Sequence, residues 1–443
     1  MKLAPYPEYK DSGVPWLRKI PAHWNTKRLK YLFQEKDLRS TTGNELLLSM
    51  TRSRGLIPQT EISIKNPSPE NLIGYKICDS GEIVMNRMQA WSGMFYRAAN
   101  KGLVSPDYVV FKEKNDLSTE FFEKYFRTPK FVAECRVRST GIGTGFNRLY
   151  GEDFGRIYVT VPSKKEQIQI ARFLDWKTAH INKFIRNKRR LIELLKEQKQ
   201  NIINQAVTRG IDPDVKLKPS GVEWIGDIPE HWEERKLKHI SAMKSGDNLT
   251  SNQIGETGDY PVYGGNGLRG YFNSYNKDGR YLLVGRQGAL CGNVHRVEGK
   301  FWATEHAVVT AVTPEISIDW CYYMLTVMNL NQYSESAAQP GISVEKIQNL
   351  RTALPSFDEQ EAIVSHIELE TVTIHQTIAR AEREIELMRE YRTRLISDVV
   401  TGQVDVRGVE VPDVAGDDLA ALDESDDGFE ESEIPEVEEN IEE

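Results

Sequence analysis

Cysteine is scarce in this chain of 443 residues: Cys78, Cys135, Cys291 and Cys321 stand far apart, with neither the paired spacing of a zinc site nor a disulfide framework. No apolar run is long enough to cross a bilayer, and no signal peptide stands at the start. A reduced, cytoplasmic setting without membrane contact is therefore expected. Catalytic motifs are missing as well. There is no Asn-Pro-Pro-Phe or Asp-Pro-Pro-Tyr of an amino-methyltransferase, and Gly299-Lys300 is followed by Phe301 where a phosphate loop needs Ser or Thr. Gly141-Ile-Gly-Thr-Gly lacks the strand-to-helix setting of a nucleotide loop. Pro106-Asp107 could open a nuclease motif, yet no Glu-x-Lys or Asp-x-Lys follows it within the next strand. The chain itself is thus expected to hold no catalytic residue, metal or cofactor.

Basic residues are missing from one region. Asp413 to Glu443 carries 15 acidic residues and no Lys or Arg, and without it the formal charge turns from −8 to +7. The body is basic; the tail has the composition of a disordered, solubilising extension. Proline and glycine are absent from two further stretches, 166–208 and 359–401, which are copies of each other 193 residues apart. Their apolar positions alternate in steps of three and four, the pattern of a helix that buries one stripe against another helix. In the first copy the seam is Leu174, Thr178, Ile181, Ile185, Lys188, Ile192, Leu195, Lys199, Ile202 and Ala206. In the second it is Ile367, Thr371, Ile374, Ile378, Ala381, Ile385, Met388, Arg392, Leu395 and Val399. A helix of about 40 residues is roughly 60 Å long and needs a partner for that stripe. Its own copy, returning antiparallel, is the simplest one. The polar seam positions either fix register or let their stems snorkel at the edge. The basic run Lys183, Arg186, Lys188, Arg189 and Arg190 has no basic counterpart around Arg380 and Arg383, where Glu382, Glu384 and Glu386 intervene, so a solvated or partner-binding face is expected there.

A second repeat precedes each globular region. Lys10 to Lys30 reads Ser-Gly-Val-Pro-Trp, Ile-Pro-Ala-His-Trp and Leu29-Lys30; Lys218 to Lys238 repeats it, with 11 of 21 positions identical. The Ile-Pro-x-His-Trp element is expected to turn into a short helix, with Trp as its anchor. His23 and His231 have no nucleophile near them in sequence, and a structural role is expected for both. Between the repeats, Glu45 to Ser49, Gly81 to Met85, Tyr281 to Val284 and Ala307 to Val312 read as strands, and Thr119 to Cys135 and Ile318 to Gln332 as amphipathic helices. The fold class expected is α+β: two mixed α/β domains separated by two long antiparallel helices in a coiled coil, with a pseudo-twofold internal repeat.

Two variable domains, each introduced by Ser-Gly-Val-x-Trp and Ile-Pro-x-His-Trp, and each followed by Pro-Ser-x-x-Glu-Gln (Pro162-Ser163 with Glu166-Gln167, Pro355-Ser356 with Glu359-Gln360) and a long heptad helix, resemble the specificity subunits of type I restriction-modification systems. The resemblance covers about residues 9–405. It implies a conserved segment at 1–24, target-recognition domains at 25–163 and 233–356, spacer helices at 164–210 and 357–405, and a repeat of the first segment at 211–232, with the acidic tail at 406–443 outside it. It further implies a non-catalytic subunit whose two domains each read half of a bipartite, asymmetric double-stranded DNA site. Two methyltransferase subunits, and through them restriction and translocase subunits, would assemble on the helices, using S-adenosylmethionine, ATP and Mg. The physics agrees: half-sites on one side of B-DNA lie about 34 Å apart, within reach of a rigid helix pair. A protein-binding coiled-coil scaffold without sequence-specific DNA binding is the alternative.

Base edges are best discriminated by Arg at guanine and by Asn or Gln at adenine, from loops that glycine lets approach a groove. The candidates are Arg52 and Arg54 in Thr51-Arg-Ser-Arg-Gly55, Arg87 and Gln89 in Asn86-Arg-Met-Gln89, and Asn147 and Arg148 after the 141–145 glycine run. In the second domain they are Asn266 and Arg269 in 264–270, Arg286 and Gln287 in Gly285-Arg-Gln-Gly288, and Gln339 in 339–343.

Overall fold

A computed structural model describes residues 3–63, 67–141, 147–222, 224–288, 290–334 and 341–412. It divides into two compact units: Met1–Arg189 with Glu382–Glu443, and Arg190–Ala381. The division runs through both long helices.

In the first unit Tyr9–Asp11 pairs with Lys19–Pro21, and Asn25–Arg28 with Tyr158–Val161, both antiparallel. Ile-Pro-Ala-His-Trp does not form the short helix that its sequence suggested. Pro21 biases Ile20 toward extended backbone, and Ile20 and Pro21 are strand partners of Lys10 and Tyr9. A tight turn follows, closed by the Trp24 N–H donating to the Pro21 carbonyl at 3.0 Å, with the indole fully buried. The basic run after it alternates as a strand, and only Leu29–Tyr31 makes a 3-10 turn.

A four-stranded antiparallel sheet forms the centre, in the order Phe33–Lys36, Tyr108–Glu113, Ile83–Asn86, Phe95–Arg97. Alternate residues face opposite ways. Phe33, Phe95 and Phe111 meet Phe122, Phe126 and Phe154 of the helices on one face. Val84, Tyr96 and Val110 pack with Leu48, Leu56, Cys78 and Val104 on the other, where the hairpin Leu48–Thr51/Gly55–Pro58 and the pair Lys76–Cys78/Gly102–Val104 lie. The stretch 119–135, read as one helix, is two: α1 (Thr119–Phe126) and α2 (Pro129–Arg138), broken where Pro129 cannot continue a helix and Thr128 caps a new one. Then come α3 (Gly151–Arg156) and the long α4 (Lys164–Arg209).

The second unit repeats this plan. Leu217–Pro219 pairs with Asp227–Pro229, and Glu233–Lys236 with Arg351–Leu354. Its sheet runs Ser241–Ser245, Ala307–Val312, Lys277–Gly285, Val294–Ala303, and is widened to six strands by Tyr260–Gly264, parallel to Val294–Ala303, and Gly267–Phe272. Helices α5 (Ile318–Val327), α6 (Val344–Asn349) and α7 (Phe357–Val400) stand where α1, α3 and α4 stand in the first unit. The stretch 318–332, read as one helix, ends at Val327; Asn329 takes a left-handed φ of 47°, and a 3-10 turn follows.

Domain contents that share little sequence share a sheet in identical register. Phe33, Asn86 and Met85 pair with Glu113, Tyr108 and Phe95; Ser241, Gly285 and Val284 pair with Val312, Ala307 and Val294. The 15 additional residues of the first copy fall in two places: nine between the strand ending at Lys36 and Ile83, and six between α1 and α3, where α2 sits.

The long helices pair within each unit. In the first, Arg392 donates to Asn182 Oδ1 at 2.7 Å, and Lys188 meets Glu384 at 2.7 Å, an antiparallel register. In the second, Ile203, Ala206 and Val207 of α4 share a core with Ile363, Val364 and Ile367 of α7. Of the seam residues, Leu174, Ile181, Ile185, Ile192, Ile367, Ile374, Ile385 and Leu395 are buried, and Leu195, Ile202, Ile378 and Met388 are half-buried; Ile203 turns inward beside Ile202. Thr178 and Thr371 donate to their own helix at Leu174 and Ile367, each at 2.7 Å, so these hydroxyls are satisfied locally and do not pair across the seam.

Candidate nucleic-acid interface

The lead-in motif of each long helix holds its unit together. Gln167 and Gln360 are buried; each accepts from the N–H of a helix-capping serine (Ser118, Ser317) at 2.8 Å and donates to the proline carbonyl before its own helix, Pro162 at 2.9 Å and Pro355 at 3.0 Å. The neighbouring carboxylates meet the histidines. His23 Nε2 lies 3.0 Å from Glu166, and His231 Nε2 3.1 Å from Glu359. The carboxylate partner of each histidine thus comes from the start of the long helix, in both copies. Tyr6 completes the first site by donating to Glu166 at 2.8 Å, and the Trp232 indole the second by donating to Glu359 at 2.9 Å. No open face remains for a substrate at Glu166, which is only 5% exposed; the glutamines rivet each variable domain to its helix, and the carboxylates rivet the segment that precedes the domain.

With the sheet so anchored, the candidate reading loops take equivalent places in the two units. The first loop is a hairpin tip, Arg52 to Arg54 in one unit and Gly265-Asn266 in the other. Each tip leads into a glycine of left-handed φ, Gly55 at 74° and Gly267 at 90°. A Cβ there would press on a ring of the fourth sheet strand, Tyr96 at 3.0 Å and His295 at 3.3 Å, so glycine lets the hairpin lie flat on that ring. The second loop leaves the strand that ends at Asn86 or Gly285 and carries Arg87 or Arg286. The third precedes α3 or α6. It is tied to the second by one hydrogen bond in each unit: Leu149 N–H to the Arg87 carbonyl, and Ile342 N–H to the Arg286 carbonyl, both 3.0 Å. Gln287 also bridges to Gly341, and a Cβ at Gly285 would collide with the Gly265 carbonyl, so in the second unit all three loops touch.

The individual side chains differ. Arg52, Asn147, Asn266, Arg269 and Gln287 are exposed, and Gln89, Arg87, Arg148 and Arg286 are half-buried. Arg54 is engaged by Glu61. Arg269 folds its methylenes against Gly264. Arg286 donates to Ser245 Oγ at 3.2 Å. Arg87 is held loosely: its Nε is buried without a hydrogen-bond partner, and Glu35 stands 4.0 Å from its Nη2. The same carboxylate lies 4.0 Å from buried Lys76, which also faces Asp37 at 3.7 Å. Burial, and then the nearby Arg87 charge, hold the Lys76 pKa below its ordinary value. Gln339 lies outside the described residues. The equivalence of Arg87 with Arg286 was open to a sequence argument, since both follow an apolar strand, but the strands had first to be aligned by pairing.

Among the described residues no group of three or more His, Cys, Asp or Glu is placed to hold a metal ion, and no helix is long and apolar enough to cross a membrane. All four cysteines are buried and free.

This geometry defines a class: a duplicated two-unit protein with one scaffold, one helix lead-in and two sets of loop residues. Comparison with known proteins shows what the chain is similar to. Residues 229–383 match the type I restriction modification DNA specificity domain. The chain is 50% identical over 130 residues to the type I restriction enzyme EcoprrI specificity subunit of Escherichia coli, a match covering 28% of this chain and 32% of that one. It is 23% identical over 337 residues to the MjaVIII specificity subunit of Methanocaldococcus jannaschii, covering 70% of this chain and 76% of that one. A solved structure from a study of assembly and conformational transition of the type I R-M system matches with a TM-score of 0.64 at 14% identity, over 86% of this chain and 98% of that one. The HsdS subunit of Thermoanaerobacter tengcongensis matches at 0.51 and 13%, over 87% and 98%. The chain is thus similar in sequence to type I restriction-modification specificity subunits over part of its length and has the fold of the solved ones.

Proposed function

We propose that this chain is the DNA sequence-recognition subunit of a type I restriction-modification complex, each unit reading one half of a bipartite, asymmetric site. The observation that carries the reading is the equivalence of the three loops: the same sheet register presents the second, one hydrogen bond ties the third to it, and a glycine lays the first on the fourth strand in both units, with Arg52, Arg87 and Arg148 among their residues in one and Asn266, Arg286 and Gln287 in the other. One scaffold with two sets of polar side chains suits two half-sites of different sequence. In this reading Arg87 and Arg286 face guanine edges and Asn266 and Gln287 adenine edges, following the ordinary geometry of those side chains. Chemistry belongs to partners: two methyltransferase subunits docked on α4 and α7 with S-adenosylmethionine, and restriction and translocase subunits with ATP and Mg. The complex works in the cytoplasm on double-stranded DNA.

The test is to express the chain with its methyltransferase partner and map modified adenines across the host genome. A split motif, two short half-sites around a fixed gap, is expected. An intact complex that leaves no motif, with DNA affinity low at every salt concentration, would fit a protein scaffold instead, because phosphate-driven binding is strong at low salt and falls steeply as salt rises. The helix pair is proposed to set the gap. Lengthening α4 by a few residues should change the gap and leave both half-sites as they are; an unaltered gap would rule that role out.

A further inference from the structure

Most arginines in the sheet-and-helix body of the first unit are spoken for by carboxylates: Arg54 by Glu61, Arg97 by Glu120, Arg138 by Glu134, Arg156 by Glu152. Arg127 and Arg136 have no ion-pair partner among the described residues. Aromatic faces hold them instead. The Arg127 guanidinium lies over the Tyr96 ring at 4.5 Å, and that of Arg136 over the Trp91 ring at 5.7 Å. Both rings are themselves tethered to the candidate reading loops. The Tyr96 hydroxyl donates to the Arg52 carbonyl in the hairpin tip at 2.8 Å, and the Trp91 indole to the Met88 carbonyl in the Arg87 turn at 2.7 Å.

We propose that Arg127 and Arg136 form a clamp for DNA phosphates beside the half-site read by the first unit. The inference rests on the recognition function proposed above. A stacked guanidinium is weakly hydrated, retains its N–H edges and loses little freedom when it meets a phosphate. Both cations flank the reading loops without belonging to them, as expected of groups that position and do not specify. The clamp is confined to one unit. By sheet register the positions of Trp91 and Tyr96 are taken by Leu290 and His295, and that of Arg127, by the helix alignment, by Thr326; Arg136 lies in α2, in the segment that is six residues longer in the first unit. Burial lowers the His295 pKa, which disfavours a charge on that ring in place of the missing arginines.

The test uses the full chain in complex with its methyltransferase, binding a duplex with the mapped site and a scrambled duplex over a salt series. Each phosphate contact adds about 0.9 to the slope of log affinity against log salt. The R127Q/R136Q variant should lose about 1.8 of that slope, weaken on both duplexes by similar factors, and methylate the same motif. R127K/R136K, which keeps both charges, should retain most of the slope and so control for misfolding. A wild-type complex that binds its site specifically alongside a glutamine variant of unchanged slope and affinity would overturn the clamp alone. A motif relaxed at one base pair would also overturn it, by making these arginines base readers. A wild-type complex without specific DNA binding, including one in which these cations prove to hold an acidic protein, would remove the recognition reading and the clamp with it.

Discussion

The two units are the same object at the sheet and the lead-in motif, and different objects at the surface. The same hydrogen bonds recur wherever the chain must close on itself: glutamine to a capping serine and a proline carbonyl, carboxylate to histidine, strand to strand in one register. The larger differences lie in the hairpin region, which widens the sheet to six strands in the second unit only, in α2, and in the loop side chains. Duplication thus preserved what sets position and released what could set specificity. The carboxylate site shows how far equivalence extends. Glu166 is 5% exposed, and Glu359 is 24% exposed with no Tyr6 above it.

The comparison breaks most visibly at the tryptophans. Trp24 and Trp232 are each fully buried under the end of a long helix: Gly402 lies against Trp24, and Gly210 against Trp232. Replacing either by Ala should cost about 3–5 kcal/mol. If the units are equivalent at this level, the two variants should lose similar amounts of stability in urea denaturation; a harmless variant at one of them would refute the shared frame. Next come Gln167→Ala and Gln360→Ala. Each leaves a buried N–H and a buried carbonyl without a partner, at about 1–3 kcal/mol for each group. Hydrogen exchange should show α1 loosened by the first and α5 by the second, each without effect on the other.

Much of this frame was legible in the sequence, because long periodic helices and repeated Trp, Gln and Glu leave local signals. Three things were not. The Ile-Pro-x-His-Trp turn was expected to be helical because its strand partner, residues 9–11, is invisible to local pattern. Pro129 split a helix whose periodicity runs past the break. The common sheet was hidden because its central register is set by pairing across 22 residues, between Asn86 and Tyr108 or Gly285 and Ala307, and apolar strands can exchange Val, Leu and Met without disturbing it. Of the candidate site, the loops were found by their glycines and arginines. That Arg87 and Arg286 correspond, and that Arg127 and Arg136 rest on rings, depended on the fold.

The reading loops sharpen the comparison at smaller energies. Arg87→Ala and Arg286→Ala should each relax one base pair, in opposite halves of the site, by about 1–3 kcal/mol of discrimination, read as new motifs in the adenine methylation map. A change in the same half for both would contradict one reader per unit. Arg87 has the looser hold, so Glu35→Gln, which removes the carboxylate 4.0 Å from it, should raise affinity for scrambled DNA. No such change is expected from Ser245→Ala, since the partner of Arg286 there is neutral.

The smallest effect tests the carboxylate site. Tyr6→Phe removes one hydrogen bond to a buried carboxylate that keeps His23, with Arg407 at 3.9 Å. Trp232→Phe removes the corresponding bond to Glu359, which is more open to water. Bonds to charged groups contribute about 1.5–3 kcal/mol, and water replaces a lost donor more readily at the exposed site. Tyr6→Phe should therefore destabilise its unit toward the upper part of that range, whereas Trp232→Phe, apart from the volume it loses, should fall near or below the lower end. Equal losses after correction with Trp232→Leu would mean that Tyr6 only fills space, and that the two carboxylate sites are equivalent despite their difference in burial.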